Sequence, residues 1–465
     1  MNLQDLLKDQ PPILRIDGAR EQLWKAVAES NQRMVVLDDD PTGTQTVHDV
    51  RVLMDWSPAA LQSIMSVGDR VFYLSTNSRS LDSIHAAEQA EMIGRRLQWA
   101  ADEAGVDILP VSRSDSTLRG HYPVEVDALL KGMAFQPDAV ILAPAFFEGG
   151  RYTVDDTHWV DLGDRVIPAH ETEFARDSNF GYQHSHLGAW VEEKTGGRIH
   201  KEQVGSISLE TIRTSGVEGV VEILIQAEGG LPLILNAACY EDLDVFSLAM
   251  MKAEARGKRF LLRSAASIVK SRGGITDRAL LSEEGLGTDG SPGLIVVGSY
   301  VSRTTRQVEQ LLASGLVEAV ELKVDQLLES DLNTVLEPAA QAAAAAIQRG
   351  RTALVYTSRS THLTGREDFL QIGEIIMAGL CSVVEHIPLR PGFVVAKGGI
   401  TSYEVARVGL GMQDAVVLGQ IIKGVPVWEM GSGSRWDGVP YVVYPGNVGG
   451  DDALLEVVKK LLRIH

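Results

Sequence analysis

The chain has 465 residues, 45% hydrophobic and 23% charged, with a net charge of −19. That length exceeds one ordinary hydrophobic core, so two domains of a globular protein are expected. The acidic surplus excludes a general nucleic-acid or membrane-surface binder, and no apolar run reaches the length of a membrane span.

Two cysteines, Cys239 and Cys381, sit in mainly apolar surroundings and read as buried free thiols of a reducing compartment. The segment MNLQDLLKDQPPILRIDG lacks a basic stretch followed by a long apolar core, so no signal peptide is read and a cytoplasmic location is expected. Strands are expected at 34–38, 70–76, 107–112, 139–144 and 233–237. The first, Met34-Val35-Val36-Leu37, runs into Asp38-Asp39-Asp40-Pro41-Thr42-Gly43. A buried strand thus carries a carboxylate cluster to its C-terminal edge, where open α/β sheets bind ligands. Crowded carboxylates suggest a site that meets a hydroxyl, a metal or a cation; the plainer reading is an acidic turn capped by Asp40.

Ser57-Pro58 marks a helix start. Strand 70–76 ends in Ser75-Thr76-Asn77-Ser78-Arg79-Ser80, where Arg79 offers a planar fork matching a carboxylate. Taken alone, Arg79 also reads as a surface ion pair. Ile93, Leu97, Ala100 and Ala104 recur at helical spacing over 85–104. Strand 107–112 opens into Ser112-Arg113-Ser114-Asp115-Ser116-Thr117-Leu118-Arg119-Gly120-His121. This suits a small polyhydroxylated acid, Arg for the carboxylate and Asp, Ser and Thr for hydroxyls; a capped helix start at Ser114 or Ser116 is the alternative. Three successive strands with polar, charge-mixed tips point to one shared site. Segment 145–205 is rich in Gly, His, Thr and Asp and reads as long loops with short hairpins lying over that site. His48, His121 and His158 fall near it and read as hydrogen-bonding groups rather than metal ligands.

Between Lys270-Ser271-Arg272-Gly273-Gly274 and Gly287-Thr288-Asp289-Gly290-Ser291-Pro292 the composition breaks, as at a domain connection. This gives domains at 1–270 and 285–465. Strands are expected at 293–299, 318–322, 353–358, 392–398, 425–430 and 440–445, with helices at 303–314, 334–349, 366–385, 402–410 and 451–463. Three turns link a strand to a helix through glycine: Gly298-Ser299-Tyr300-Val301-Ser302, Ala396-Lys397-Gly398-Gly399-Ile400-Thr401-Ser402, and Pro445-Gly446-Asn447-Val448-Gly449-Gly450. Glycine permits close backbone approach, and helix starts present free N–H groups to anions. Three such turns in one half point to nucleotide phosphates, although none is a Walker A loop. The expected fold is α/β, two domains that are each a mainly parallel sheet flanked by helices, with the active site in the cleft between them.

In order, a strand with DDxTG, a strand-end Arg, SDSTLRG, PAFxxxGR, GSxxxxTxxQ, a Gly-Gly-x-Thr-Ser loop and GNxGxxD span residues 34 to 452. This series resembles the four-carbon acid sugar kinases, formerly a domain of unknown function. The resemblance implies an N-terminal domain for the acid sugar, a C-terminal domain for ATP, and phosphorylation of the C4 hydroxyl of threonate, erythronate or 3-oxo-tetronate. It implies substrate contacts at Asp40, Arg79, Asp115, Ser116 and Thr117, with Arg119 and Gly120 beside them. It implies nucleotide contacts at Ser299 or Ser302, at Gly398, Gly399, Ile400 and Thr401, and at Gly446 and Gly449, with Asn447 between. The chain departs from the family at Pro41 and onward to Asp49, at Tyr300-Val301, and at Ile400, where an acidic residue is frequent.

Phosphoryl transfer needs an aligned nucleophile and neutralised phosphate charge. Arg79, Arg113 and Arg119 compete for the substrate carboxylate, Arg79 first. Asp115 and Ser116 fix secondary hydroxyls, and Asp40 orients the primary hydroxyl and accepts its proton. Asp39 is read as a substrate contact and as the ligand of Mg²⁺, direct or through water. Lys397 is read as reaching the transferring group, with an ordinary surface lysine at a strand end as the equal alternative. The expected partners are the acid sugar and ATP, without nucleic acid or membrane; a homodimer is compatible. Two rivals stand. A haloacid-dehalogenase-like phosphatase would use Asp38 as nucleophile and Asp40 as general acid, but its later Lys and acidic pair find no place. A sugar-acid sensor would bind without turnover.

Overall fold

The computed structural model describes residues 1–329, 332–358 and 366–464. Its strands are β1 (Gln32–Asp38), β2 (Arg51–Leu53), β3 (Val71–Ser75), β4 (Asp107–Arg113), β5 (Ala139–Ala143) and β6 (Arg151–Val154). There follow β7 (Thr157–Asp161), β8 (Val166–Pro168), β9 (Gly205–Ile207), β10 (Leu231–Leu235), β11 (Phe260–Ser264) and β12 (Leu294–Val297). The last are β13 (Val317–Leu322), β14 (Thr352–Thr357), β15 (Val394–Lys397), β16 (Asp414–Ile422), β17 (Val425–Met430) and β18 (Pro440–Tyr444). The chain forms two compact units, Met1–Val50 with Asp55–Asp277, and Arg51–Met54 with Arg278–His465.

The sheet of the first unit runs β3-β1-β4-β11-β5-β10-β9, and its pairings are parallel. A parallel strand is covered on both faces, so β1 reads as an unbroken apolar run rather than an alternating one. Met34 to Leu37 are accordingly all buried. Between β3 and β4 the helix Ser83–Ala104 starts where Asp82 caps the N–H groups of Ile84 and His85 at 2.9 Å, and stops at Gly105, whose φ of 65° a side chain would strain. The chain leaves β1 toward β3 and then crosses to β4, so the β1/β4 junction is a switch point, where ligand crevices form. Segment 145–205 carries β6-β7-β8, a small antiparallel sheet, with short turns at Ala169–Glu171 and Glu173–Arg176.

In the second unit the order is β13-β14-β12-β15-β18-β17-β16-β2. It is parallel from β13 to β18, and β17, β16 and β2 extend it antiparallel. From β12 the chain goes left to β13, whereas β14 hands over rightward to β15. Right-handed crossovers then put the intervening helices on opposite faces, with a switch point between β12 and β15. Several strands carry no clear sequence signal. β2 and β9 are three residues each, and β11 enters the middle of its sheet from far along the chain. β16 alternates buried with half-buried positions across Gly419, whose φ is 140°.

Candidate active site

Parallel register decides what meets at the edge of the first unit. Asp38 lies level with Ser75 of β3 and Arg113 of β4, and Arg113 with Ser264 of β11. The chain beyond these residues therefore emerges together: Asp39 and Asp40, Thr76 to Arg79, and Ser114 to Arg119. Arg79 is the hub. Its Nη2 and Nε donate to the two oxygens of Asp39 at 2.6 and 3.2 Å. Its Nη1 stands 3.3 Å from Asp40 Oδ2 and 3.7 Å from Asp115 Oδ1. Arg119 holds Asp115 from the other side, Nε to Oδ2 at 2.8 Å and Nη2 to Oδ1 at 3.2 Å. Asp40 also caps its own turn, accepting from the Thr42 N–H at 2.8 Å and the Thr42 hydroxyl at 2.5 Å.

These contacts set the charge states. Burial pushes the Asp40 carboxyl up, but the Arg79 charge and the Thr42 bonds outweigh it and hold it below its ordinary value. Burial likewise opposes ionisation of Asp115, and Arg79 and Arg119 overcome it by a wide margin. Asp38 goes the other way. It is 1% exposed, and burial pushes it up to about 7 despite Arg113 Nη1 at 3.0 Å.

The structure brings together the expected sugar-site residues and corrects several roles. Arg113 is buried and spent on Asp38, so it is no free receptor for a substrate carboxylate. Asp39 is 2% exposed and its oxygens serve Arg79 and the Ser114 hydroxyl, which does not fit a direct Mg²⁺ ligand. Among the described residues no group of three metal-binding side chains gathers. Asp38, buried and paired, lacks the exposed ionised oxygen that the phosphatase reading demands of its nucleophile. The Thr117 hydroxyl donates to Asp115. Ser116 is half-buried, and its carbonyl accepts from His158 Nε2 at 2.7 Å. Gly120 has φ of 124°, and a side chain there would strike the Ser114 hydroxyl. His121 Nε2 contacts the Ser78 and Leu81 carbonyls, and His48 lies against Asp49 and the Thr276 carbonyl.

Sequence reading passed over Arg263, Glu125, Arg151 and Phe174. Arg263 lies on β11, a strand without a sequence signal, and its Nη1 reaches Ser112 Oγ at 3.3 Å. Glu125 accepts from Ser78, and burial with the Asp39 charge raises its pKa. Arg151 was visible only as the end of PAFxxxGR.

In the second unit three turns leave adjacent parallel strands on the same edge. The Thr304 hydroxyl ties two of them, reaching Ser299 Oγ at 3.2 Å and the Gly446 carbonyl at 3.0 Å. Gln307 Nε2 donates to the Val448 and Gly450 carbonyls, and Arg303 Nη1 to the Asn447 carbonyl at 2.6 Å. The turn after β15 is a single residue. Gly398, at φ 117°, swings the chain directly into the helix Gly399–Glu404, three residues earlier than the periodicity suggests. A Cβ on Gly398 would come within 3.1 Å of Ser299 and Thr401, and one on Gly446 within 3.1 Å of Ser299 Oγ. Gly298, Gly398 and Gly446 are thus packed around Ser299 and Thr401. This is a backbone cradle that side chains would fill, and it fits a phosphate chain. Thr401 is buried, whereas Ser302, Ile400, Asn447 and Gly449 are exposed at the rim.

Lys397 does not reach outward. It is 0% exposed, lies 4.0 Å from the Tyr444 ring centroid, and donates to the Pro445 and Gly446 carbonyls at 2.7 and 3.2 Å. Burial, then the charge of Arg303, lowers it to about 7. Its work is to fasten the last glycine turn.

The fold and these two edges define a class: a two-domain α/β protein with one charge-dense polar site and one phosphate-type cradle. Residues 34–272 match the family described as sugar-binding N-terminal domain, and residues 294–454 the nucleotide-binding C-terminal domain. The chain belongs to this family, and the resemblance drawn from its motifs is borne out. It is 24% identical over 445 residues to the D-threonate kinase of Salmonella typhimurium, covering 92% of this chain and 97% of that protein. It is 28% identical over 222 residues to the D-erythronate kinase of Heliobacterium modesticaldum, covering 46% and 47%. Two solved structures share the fold. One, from Salmonella typhimurium LT2, has a TM-score of 0.66 at 16% identity, over 91% of this chain and 98% of that one. The other, from Haemophilus influenzae, has a TM-score of 0.64 at 17% identity, over 92% and 100%. No helix among the described residues is long and apolar enough to cross a membrane.

Proposed function

We propose that this chain is an ATP-dependent kinase that phosphorylates the terminal hydroxyl of a four-carbon acid sugar. The observation that carries the reading is the pairing of chemistries in one chain. A network of ionised carboxylates and guanidinium groups in the sugar-binding domain suits a polyhydroxylated acid. A glycine cradle in the nucleotide-binding domain suits phosphates. The names of the two curated relatives support the class.

In this reading Asp40 orients the attacking hydroxyl and takes its proton, while Arg79 holds Asp40 and Asp115 in place to bind the hydroxyls. The turns at Ser299, Ser302, Gly398 to Thr401 and Gly446 to Gly449 receive the ATP phosphates through backbone N–H groups and hydroxyls. No Mg²⁺ ligand is assigned to the protein, and Mg²⁺ would enter held by the nucleotide phosphates. Phosphoryl transfer is then mainly positioning and charge neutralisation.

The test is an ADP-release screen against threonate, erythronate, their enantiomers and 3-oxo-tetronates, with pentonates as controls. ADP formed only with a four-carbon acid supports the reading; ADP formed with none of them, or phosphate released from p-nitrophenyl phosphate, overturns it. A second outcome checks the cradle. Lys397→Met strands the Pro445 carbonyl, at a cost of about 1–3 kcal/mol, and leaves the Gly446 carbonyl with the Thr304 hydroxyl alone. The KM for ATP is expected to rise about tenfold or more, while the KM for the acid stays put. Steady-state kinetics with each substrate varied in turn reads this directly.

A further inference from the structure

At the sheet edge of the first unit three arginines are already committed to carboxylates, and a fourth, Arg263, is buried against the Ser112 hydroxyl. Arg113 holds Asp38, Arg79 holds Asp39, Asp40 and Asp115, and Arg119 holds Asp115 with Asp177 at 3.6 Å from its Nη1. Arg79 turns its whole Nε–Nη2 fork to Asp39, so the fork that would grip a ligand carboxylate is occupied. Arg151 is different. No carboxylate pairs with it among the described residues, and its Nε is buried without a hydrogen-bond partner. It lies at the start of β6, directly after the turn Phe147–Gly149 that follows β5. Phe174, from the turn Glu173–Arg176, joins it to the rest of the site. The Arg119 guanidinium carbon is 5.0 Å from that ring centroid and the Arg151 one 5.8 Å.

Asp115 and Asp161 act on Arg151 only from beyond ion-pair distance, and burial outweighs them. A half-buried cation without a paired carboxylate or a full set of acceptors is costly, and such a group persists where a ligand completes it. The acid end of a sugar acid completes it, because guanidinium meets carboxylate edge to edge. We propose that the substrate carboxylate sits on Arg151, beside Arg119 and against the Phe174 ring, and that Arg151 makes this site choose an acid over the matching uncharged polyol. The inference rests on the sugar-acid reading and refines it. Arg79, the sequence's first choice, organises the carboxylates that bind the hydroxyls, while the acid end of the substrate lies on the Arg119 side of Asp115. Segment 145–205 thereby supplies a specificity residue as well as a cover.

The test compares wild type with Arg151→Met and Arg151→Lys, using the tetronate that gives ADP and its neutral amide. Losing a buried charge partner is expected to raise the KM for the acid by about 30-fold or more in Arg151→Met. The kcat should hold within about 3-fold, because the contact is made equally in ground and transition states. The KM for the amide is expected to move by less than about 3-fold, and Arg151→Lys to fall between. Equal losses for acid and amide, or no loss for either, overturn the inference. If Arg151→Met fails to melt cooperatively, Arg151→Gln takes its place with the same readout. If no tetronate gives ADP, the kinase reading fails by itself. Calorimetric titration of D-threonate and D-erythronate then decides this inference: binding to wild type that Arg151→Met abolishes supports it, and equal binding, or none to wild type, overturns it.

Discussion

Asp40→Asn is expected to lower kcat by about 10²–10⁴-fold, the range for losing a positioned proton acceptor, with the fold intact. The amide keeps an oxygen for the Thr42 N–H and hydroxyl, which Asp40 Oδ1 now serves at 2.8 and 2.5 Å, so the turn cap survives. What it loses is the second oxygen, 3.3 Å from Arg79 Nη1, and with it the capacity to accept a proton. Because Arg79 and Thr42 hold this carboxyl below its ordinary value, it is ionised throughout the neutral range. A loosely bonded phosphoryl-transfer transition state asks more for orientation than for basicity, so a weak base suffices. It also follows that a kinetic limb near pH 7 cannot belong to Asp40. Asp38 and Lys397, each shifted to about 7, are the groups that titrate there. The variant should therefore lower the whole pH–kcat profile. A limb that belongs to Asp38 should also shift to lower pH, because the Asp40 charge helps to raise Asp38, whereas one that belongs to Lys397 should stay in place. Coupled ADP-release assays from pH 5 to 9, with circular dichroism as the folding control, check both points. Near-normal turnover would remove Asp40 from its role.

The carboxylate cluster was legible because three physical rules converge on it. A continuous apolar run marks a parallel strand, parallel strands end at one edge, and ligands bind there. That reasoning led to Asp40, Arg79 and Asp115 together, and in the second half to the three glycine turns. It could not apportion the arginines. Which of Arg79, Arg113 and Arg119 is free depends on which carboxylate each one faces, and register alone makes Arg113 level with Asp38. Lys397 looked like a strand-tip lysine, but a central parallel strand is covered on both faces, and its ammonium finds carbonyls rather than solvent. Arg263 stayed hidden because β11 inserts between β4 and β5 from over a hundred residues away, which no local pattern encodes. Phe174 and Arg151 meet through the small antiparallel sheet, whose strands are short and whose periodicity is weak.

Arg79→Met is expected to cost more than any other single change at this edge. One side chain compensates three carboxylates, at 2.6 Å from Asp39, 3.3 Å from Asp40 and 3.7 Å from Asp115. Removing one partner of a buried ionic cluster is typically worth about 3–5 kcal/mol, because the charges left behind have neither water nor a cation. Lysine is a poor replacement, since a point charge cannot fork to Asp39 while its other face serves Asp40 and Asp115. The sign of the pH dependence is fixed by the two carboxyls held below their ordinary 3.8, Asp40 and Asp115. Such groups add stability above the unfolded-state value and lose it as the pH falls through the folded-state value. Wild type therefore enjoys the Arg79 contribution at pH 7 and forfeits it in acid. The difference between wild type and Arg79→Met should be largest at pH 7 and shrink steadily below about pH 4, where the unfolded chain's carboxyls take up protons. Urea unfolding at pH 7 and pH 3, followed by tryptophan fluorescence, measures it. Turnover of Arg79→Met should fall at least as far as in Asp40→Asn, because the aligned carboxylate loses the cation that aims it. A variant as stable as wild type at pH 7 would mean that the three carboxylates shed their charge instead, and that Arg79 does not organise the site.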